Sequence, residues 1–256
     1  QIVSACRRQR IIPSGDTACG FGNTAMVLAE KRLIPRVLAA VIRVATVPRT
    51  LAACEAGAVG PGKDCAYENP YLKAIAGIPI AMEGRSAACA HFSPVGNVAQ
   101  AVCDTWSNES VPNVRLLSGP APVVSLEQLA YDCRLLNTAG ATPAGARKMR
   151  DWLAASDASR DPQAFVLAPA VVLKLAGEIV QESTPYARTL RAVRATVREL
   201  DEAHRGGALN LPPREVKWLE NLEAQADELP ESEAELTAQI MAAPLAGRFI
   251  AAEYEK

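Results

Sequence analysis

The sequence predicts a parallel α/β sheet or barrel in its first part, joined to a mainly helical second part. Short apolar runs of strand length alternate with Ala-, Val- and Leu-rich runs of helix length as far as Pro143, the pattern that builds parallel sheets. Polar, Gly-bearing loops follow the ends of the strand-like runs, which is where barrel enzymes place their sites. Beyond Pro143 the segments are helix-like throughout, punctuated by Gly206-Gly207, Pro212-Pro213 and Pro230. We therefore expect residues 1–142 to form the α/β part and residues 143–256 a helical region packed on it. Three or four strands cannot close an eight-stranded barrel, so on a barrel reading this chain is an incomplete part of one.

The elements follow in order. Arg10-Ile11-Ile12-Pro13 is a strand-like apolar run ending at the turn-forming Ser14-Gly15-Asp16. Residues 24–31 have helical composition, and residues 33–56 form a longer helix broken or bent near Pro48. Ile78-Pro79-Ile80-Ala81 reads as a buried strand followed by a loop rich in Gly, Ser, Ala and Pro. Residues 98–106 form a helix with Asn97 as its cap, and Val114-Arg115-Leu116-Leu117 another strand. Residues 125–136 form a helix that carries Glu127 and Gln128 in its first turn. In the second part the helices are expected over 144–155, 162–182, 184–204, 214–226 and 232–242. Leu190, Val193, Val197 and Leu200 make one apolar stripe at helical spacing.

Bulk composition excludes several classes. The chain of 256 residues is 49% hydrophobic with a net charge of -1, enough apolar content for a sizeable core and no basic excess for nucleic acid. No apolar run approaches the roughly 20 residues of a membrane span. The start lacks both Met and a signal-peptide pattern, so we expect a processed start or a chain cut from something longer. Seven cysteines without framework spacing suit reduced thiols in a cytoplasm better than a disulfide scaffold. Cys6, Cys54, Cys103 and Cys133 stand in helix-like contexts and read as small buried hydrophobes.

Three clusters carry the chemistry. Cys19, in Ser14-Gly15-Asp16-Thr17-Ala18-Cys19-Gly20-Phe21, and Cys65, in Gly60-Pro61-Gly62-Lys63-Asp64-Cys65-Ala66-Tyr67-Glu68-Asn69-Pro70, sit in two polar loops. Two thiols so presented can form a soft metal site, although a third ligand is needed to complete it. Met82-Glu83-Gly84-Arg85-Ser86-Ala87-Ala88-Cys89-Ala90-His91 holds a thiol and one of two histidines, the other being His204. Cys89 and His91 can ligate a metal, or be respectively packed and hydrogen-bonded to backbone. Glu83 is a base or the ion-pair partner of Arg85. Trp106 and Asn108, in Cys103-Asp104-Thr105-Trp106-Ser107-Asn108-Glu109-Ser110, line a pocket or terminate a helix. Phosphate-binding Gly loops, nucleophile elbows and H-E-x-x-H are absent from the sequence.

Taken together, Gly15–Phe21, Gly62–Tyr71, Met82–His91 and Trp106–Ser110 resemble the zinc-containing methyltransferase subunit that takes a methyl group from methanol and hands it to a corrinoid protein. The strong similarity runs from Arg10 to Ala121. The resemblance implies a TIM barrel, of which this chain is an incomplete, C-terminal part followed by the helical region. It implies zinc at the barrel mouth, held by one glutamate and two cysteines. The cysteine motifs match Cys19 and Cys65, which act in catalysis through zinc. The family's glutamate lies upstream of both, and residues 1–18 contain no Glu, so the third ligand is expected upstream of Gln1.

The resemblance further implies a corrinoid carried by a partner protein, methanol as methyl donor, and an oligomer in the full-length enzyme. Zinc acts there as a Lewis acid while hydroxide, a poor leaving group, departs, and Co(I) is the nucleophile. The loops holding Asp64, Glu83, Cys89 and His91 fall near the metal on this reading and can orient substrate or ligand. The alternatives are a corrinoid-dependent methyltransferase with another donor, such as a methoxylated compound, or a non-catalytic α/β fragment with structural thiols.

Overall fold

The computed structural model describes residues 1–13, 20–58, 62–64, 68–77, 80–82, 84–85, 88, 93–102 and 121–242. The helices are α1 (Ile2–Arg8), α2 (Gly20–Glu30), α3 (Arg36–Ala45), α4 (Val47–Glu55), α5 (Asn69–Ala76), α6 (Gly96–Ala99), α7 (Ala121–Gly140), α8 (Gly145–Ala158), α9 (Pro162–Phe165), α10 (Pro169–Ile179), α11 (Pro185–Arg205), α12 (Pro213–Glu228) and α13 (Glu233–Ala242). Two strands, β1 (Gly62–Asp64) and β2 (Ile80–Met82), flank α5.

The barrel expectation is overturned. Among the described residues the fold is mainly helical, and its only sheet is the parallel pair β1–β2. Gly62 stands opposite Ile80, Lys63 opposite Ala81 and Asp64 opposite Met82. The cause lies in the apolar spacing, which is that of helices burying one face against other helices rather than against a sheet. In α3, Val37, Ala40, Val41 and Val44 all point inward. The run Arg10–Pro13 is not a strand, and its Ile11 and Ile12 are exposed. The run expected as a strand over 78–81 is met in part by β2, and the strand expected over 114–117 lies outside the described residues.

The main core forms where α3 packs on α11, the most extensive contact between described elements. Val37, Val41 and Val44 share it with Tyr71, Leu72, Leu175, Ile179, Val197 and Leu200. Each such side chain, fully buried, contributes roughly 1.5–3 kcal/mol relative to exposure. The expected α11 stripe is present: Leu190, Val197 and Leu200 are buried and Val193 packs against them. A second cluster joins Ala88, Val95, Val98, Ala99 and Val102 to Ala154, Ala164 and Leu167.

Punctuation behaves largely as proline and glycine chemistry requires. The apolar stretch 33–56 is interrupted at Thr46, with Pro48 in the first turn of α4, where its missing N–H costs nothing. The expectation that no apolar run reaches the length of a membrane span is corrected: by length and composition Arg36–Glu55 is apolar enough, with mean hydropathy 1.6, although in this fold it is more than half buried and carries the buried Arg43. The single helix expected over 162–182 is two, because Pro169 cannot continue a helix and opens α10 instead. Gly77 closes α5 at φ 63°, a left-handed cap that turns the chain toward β2.

Two local expectations are corrected. Asn97 lies inside α6 and is not its cap. The Asp157 carboxylate, from α8, accepts the Asn97 N–H at 2.7 Å and the Val98 N–H at 2.9 Å. Of the four cysteines read as buried, Cys6 and Cys54 are half-buried, Cys133 is exposed, and Cys103 lies outside the described residues.

Candidate functional site at the strand ends

The parallel register sets the frame of the site. Asp64 and Met82 are register partners at the C-terminal edge of the pair, and the next residues in sequence are Cys65 and Glu83. Asp64 is thus the last residue of β1. Cys19, Cys65, Glu83, Cys89 and His91 lie outside the described residues, as do Trp106 and Asn108. Among the described residues no three His, Cys, Asp or Glu side chains gather to hold a metal.

The described residues show how three of the motifs join the core, while Trp106–Ser110 lies outside them. Cys19 is followed directly by α2, whose Ala25, Met26 and Ala29 pack against Ala39. At its far end Glu30 accepts hydrogen bonds from Ser93 Oγ and Gln163 Nε2, both at 3.5 Å. Burial pushes the Glu30 carboxyl above its ordinary range, and the Arg36 guanidinium pulls it partly back. Residues 65–67 run into Glu68, which is fully buried and accepts from Thr50 Oγ1 at 3.2 Å. Asn69 is buried beside it, and the Tyr71 hydroxyl donates to the Val166 carbonyl.

A buried polar thread continues behind these anchors. Arg43 Nη2 donates to Gln163 Oε1 at 2.8 Å. Arg36 Nη1 donates to Asp161 Oδ2 at 2.7 Å, and Asp161 Oδ1 caps α9 by accepting the Gln163 N–H at 2.9 Å. Burial raises the Asp161 carboxyl above its ordinary range against the pull of Arg36. Glu215, from α12, reaches the start of α3 and accepts the Val37 N–H at 3.0 Å.

The third motif is held through Arg85. Its Nη1 donates to Gln100 Oε1 at 2.9 Å and to Asp132 Oδ1 at 3.3 Å. Among the described residues the carboxylate that pairs with Arg85 is Asp132; the expected partner Glu83 lies outside them. Sequence reading missed Asp132, Gln100, Glu68 and Glu30. For Asp132, Gln100 and Glu30 the available signal was polarity within helical stretches, since buried polar groups need partners; Glu68 stands just before α5 within the quoted Cys65 motif. His204 is structural, with Nδ1 3.2 Å from the Leu209 carbonyl.

The comparisons with known proteins agree on one family. The family model described as methanol-cobalamin methyltransferase B subunit matches residues 1–255. A curated relative, the methanol–corrinoid protein co-methyltransferase of Methanosarcina barkeri (strain Fusaro / DSM 804), is 39% identical over 235 residues, covering 90% of this chain and 50% of that protein. A chain of the crystal structure of the methanol:cobalamin methyltransferase complex MtaBC from Methanosarcina barkeri superposes with a TM-score of 0.78 at 37% identity, covering 94% of this chain and 53% of its own length. The chain spans about half the length of these relatives. On this match over nearly every residue, the chain belongs to the methanol-cobalamin methyltransferase B subunit family.

Proposed function

We propose that this chain carries the zinc thiolates of a methanol:corrinoid protein methyltransferase. The observation that carries the reading is the family match over residues 1–255, which includes all four quoted motifs. In the reaction the methanol C–O bond breaks and a C–Co bond forms. The partner's Co(I) supplies the electron pair and becomes Co(III), and the oxygen leaves with a proton as water. Zinc, when bound, supplies Lewis acidity toward the methanol oxygen.

The donor chemistry of this chain fits that ion. Cys19 and Cys65 offer two thiolates, soft ligands suited to zinc, and a catalytic site needs one further protein donor. Gly20 opens α2 immediately after Cys19, and a helix N-terminus favours thiolate over thiol. Cys65 follows the last residue of β1, at the edge where a parallel sheet offers its loops to ligands. Asp64, Glu83, Cys89 and His91 belong to the same strand-end segments, and we assign them to orienting methanol and the thiolates. The corrinoid protein docks on this edge. Reduced thiols and Co(I) both call for a reducing compartment, the cytoplasm.

The test uses the natural protein that carries this sequence, with its corrinoid protein reduced to Co(I). We expect about one zinc per chain and methanol-dependent loss of the Co(I) absorbance. Cys19→Ala and Cys65→Ala are each expected to lose zinc and methyl transfer together. Methyl transfer that survives loss of the metal refutes the reading. So does a structure with the two sulfurs more than about 5 Å apart, because both must stand about 2.3 Å from one ion.

A further inference from the structure

After β2 the Ala88 N–H donates to the Gly84 carbonyl at 3.3 Å, closing a helical turn. Two described side chains hold that turn. Ala88 is buried in the second core cluster. Arg85 is clamped between Gln100, 1% exposed, and Asp132, whose side chain is 10% exposed. Gln100 opens a π-turn over residues 100–102 that continues α6, a local widening that recurs near functional sites. Its buried Nε2 has no hydrogen-bond acceptor among the described residues.

Asp132 is an odd residue to bury. Its neighbours Tyr131, Cys133, Arg134 and Leu135 are all exposed, so α7 turns a carboxylate inward and apolar groups outward. A buried ion pair is seldom the most stabilising choice, since well-packed apolar residues of similar volume usually do as well or better. What such a pair supplies is a defined position. Here the pair joins three elements at one guanidinium nitrogen: the turn after β2, the π-turn and α7. The Arg85 side chain as a whole is 31% exposed.

We propose that Arg85 is a positioning residue for methyl transfer: clamped by Gln100 and Asp132, it fixes the segment that leaves β2 and carries Glu83, Cys89 and His91. This rests on the function proposed above. It also makes a claim about the segment that holds whatever the reaction is.

The experiment compares Arg85→Gln, Arg85→Lys, Asp132→Asn and the double variant Arg85→Gln/Asp132→Asn with the natural protein. Zinc content, thermal midpoint, kcat and KM for methanol, and amide exchange over residues 83–91 are measured. We expect zinc to stay bound and kcat/KM for methanol to fall about 10–100-fold in Arg85→Gln, the usual effect of losing a supporting partner in a metal site. Asp132→Asn is expected to fall in the same direction. The double variant should be no worse than the weaker single, because one clamp is lost in each. Arg85→Lys keeps the charge and one bond and should recover part of the activity. Exchange over 83–91 should rise in Arg85→Gln and Asp132→Asn alike. A lower thermal midpoint with kinetics unchanged, or strictly additive losses, overturns the proposal. Unchanged exchange overturns it even if methanol proves not to be the donor, whereas raised exchange in a protein without methyl transfer sinks the function reading and leaves the clamp standing.

Discussion

Replacing Asp161 separates two roles of one buried carboxylate. Its side chain is 2% exposed, caps α9 through the Gln163 N–H and pairs with Arg36 at 2.7 Å. Loss of an N-cap costs about 1 kcal/mol. A hydrogen bond to a charged group contributes about 1.5–3 kcal/mol, and we take the lower end because Arg36 is 33% exposed and rehydrates once its partner is gone. Asp161→Ala is therefore expected to lose about 2.5 kcal/mol. Asn caps as well as Asp does and relieves the burial of a charge, so Asp161→Asn is expected to lose only ~1 kcal/mol. The assay is urea unfolding, read at constant m-value so that the midpoints report stability. Equal losses in the two variants refute the capping role, and an Ala variant within ~0.5 kcal/mol of the natural protein, the usual scatter of surface substitutions, refutes both roles.

Two further outcomes follow from the same interior. Burial raises the carboxyls of Glu30, Asp132 and Asp161 in the folded state. The folded protein thus binds more protons than the unfolded one between the ordinary carboxyl range and the raised values. These groups contribute stability at acid pH that is lost as pH rises through that window, by at most about 1.4 kcal/mol per pH unit for each. Glu30→Gln/Asp161→Asn is expected to flatten this limb in urea titrations from pH 4 upward, and a natural protein that gains on the variant as pH rises contradicts the sign. Tyr71→Phe strands the buried Val166 carbonyl and is expected to cost about 1–2 kcal/mol; calorimetry showing no loss removes that bond from the ledger of the core.

The helical part was legible because its signal is local. Val37, Ala40, Val41 and Val44 repeat at helical spacing, as do Leu190, Val193, Val197 and Leu200, and burial followed the spacing. The split at Pro169 was legible in principle and was overridden by the apolar run around it. The strand expected over 78–81 is met in part by β2, Ile80–Met82, while the one expected over 10–13 failed for a physical reason. A four-residue apolar run has no period of its own to tell strand from helix or from exposed chain, and Ile11-Ile12 proved exposed. The converse error is β1, Gly62-Lys63-Asp64, whose residue types are depleted in strands. It is a strand because β2 pairs with it, and nothing in those three residues announces the partner.

The sequence by itself determined the family, since the segments around Cys19, Cys65, Cys89 and Trp106 are long and uncommon enough to name it, and the later matches cover residues 1–255. It determined most helices, whose stabilising contacts lie within a few turns of one another. The tertiary structure alone decided the helical architecture, the register that makes Asp64 and Met82 partners, and the capping of α6 by Asp157. It alone revealed the pairing of Arg85 with Asp132. Each of these depends on residues tens of positions apart meeting in space. Chain entropy opposes such meetings, and only the summed burial of the whole fold overcomes it.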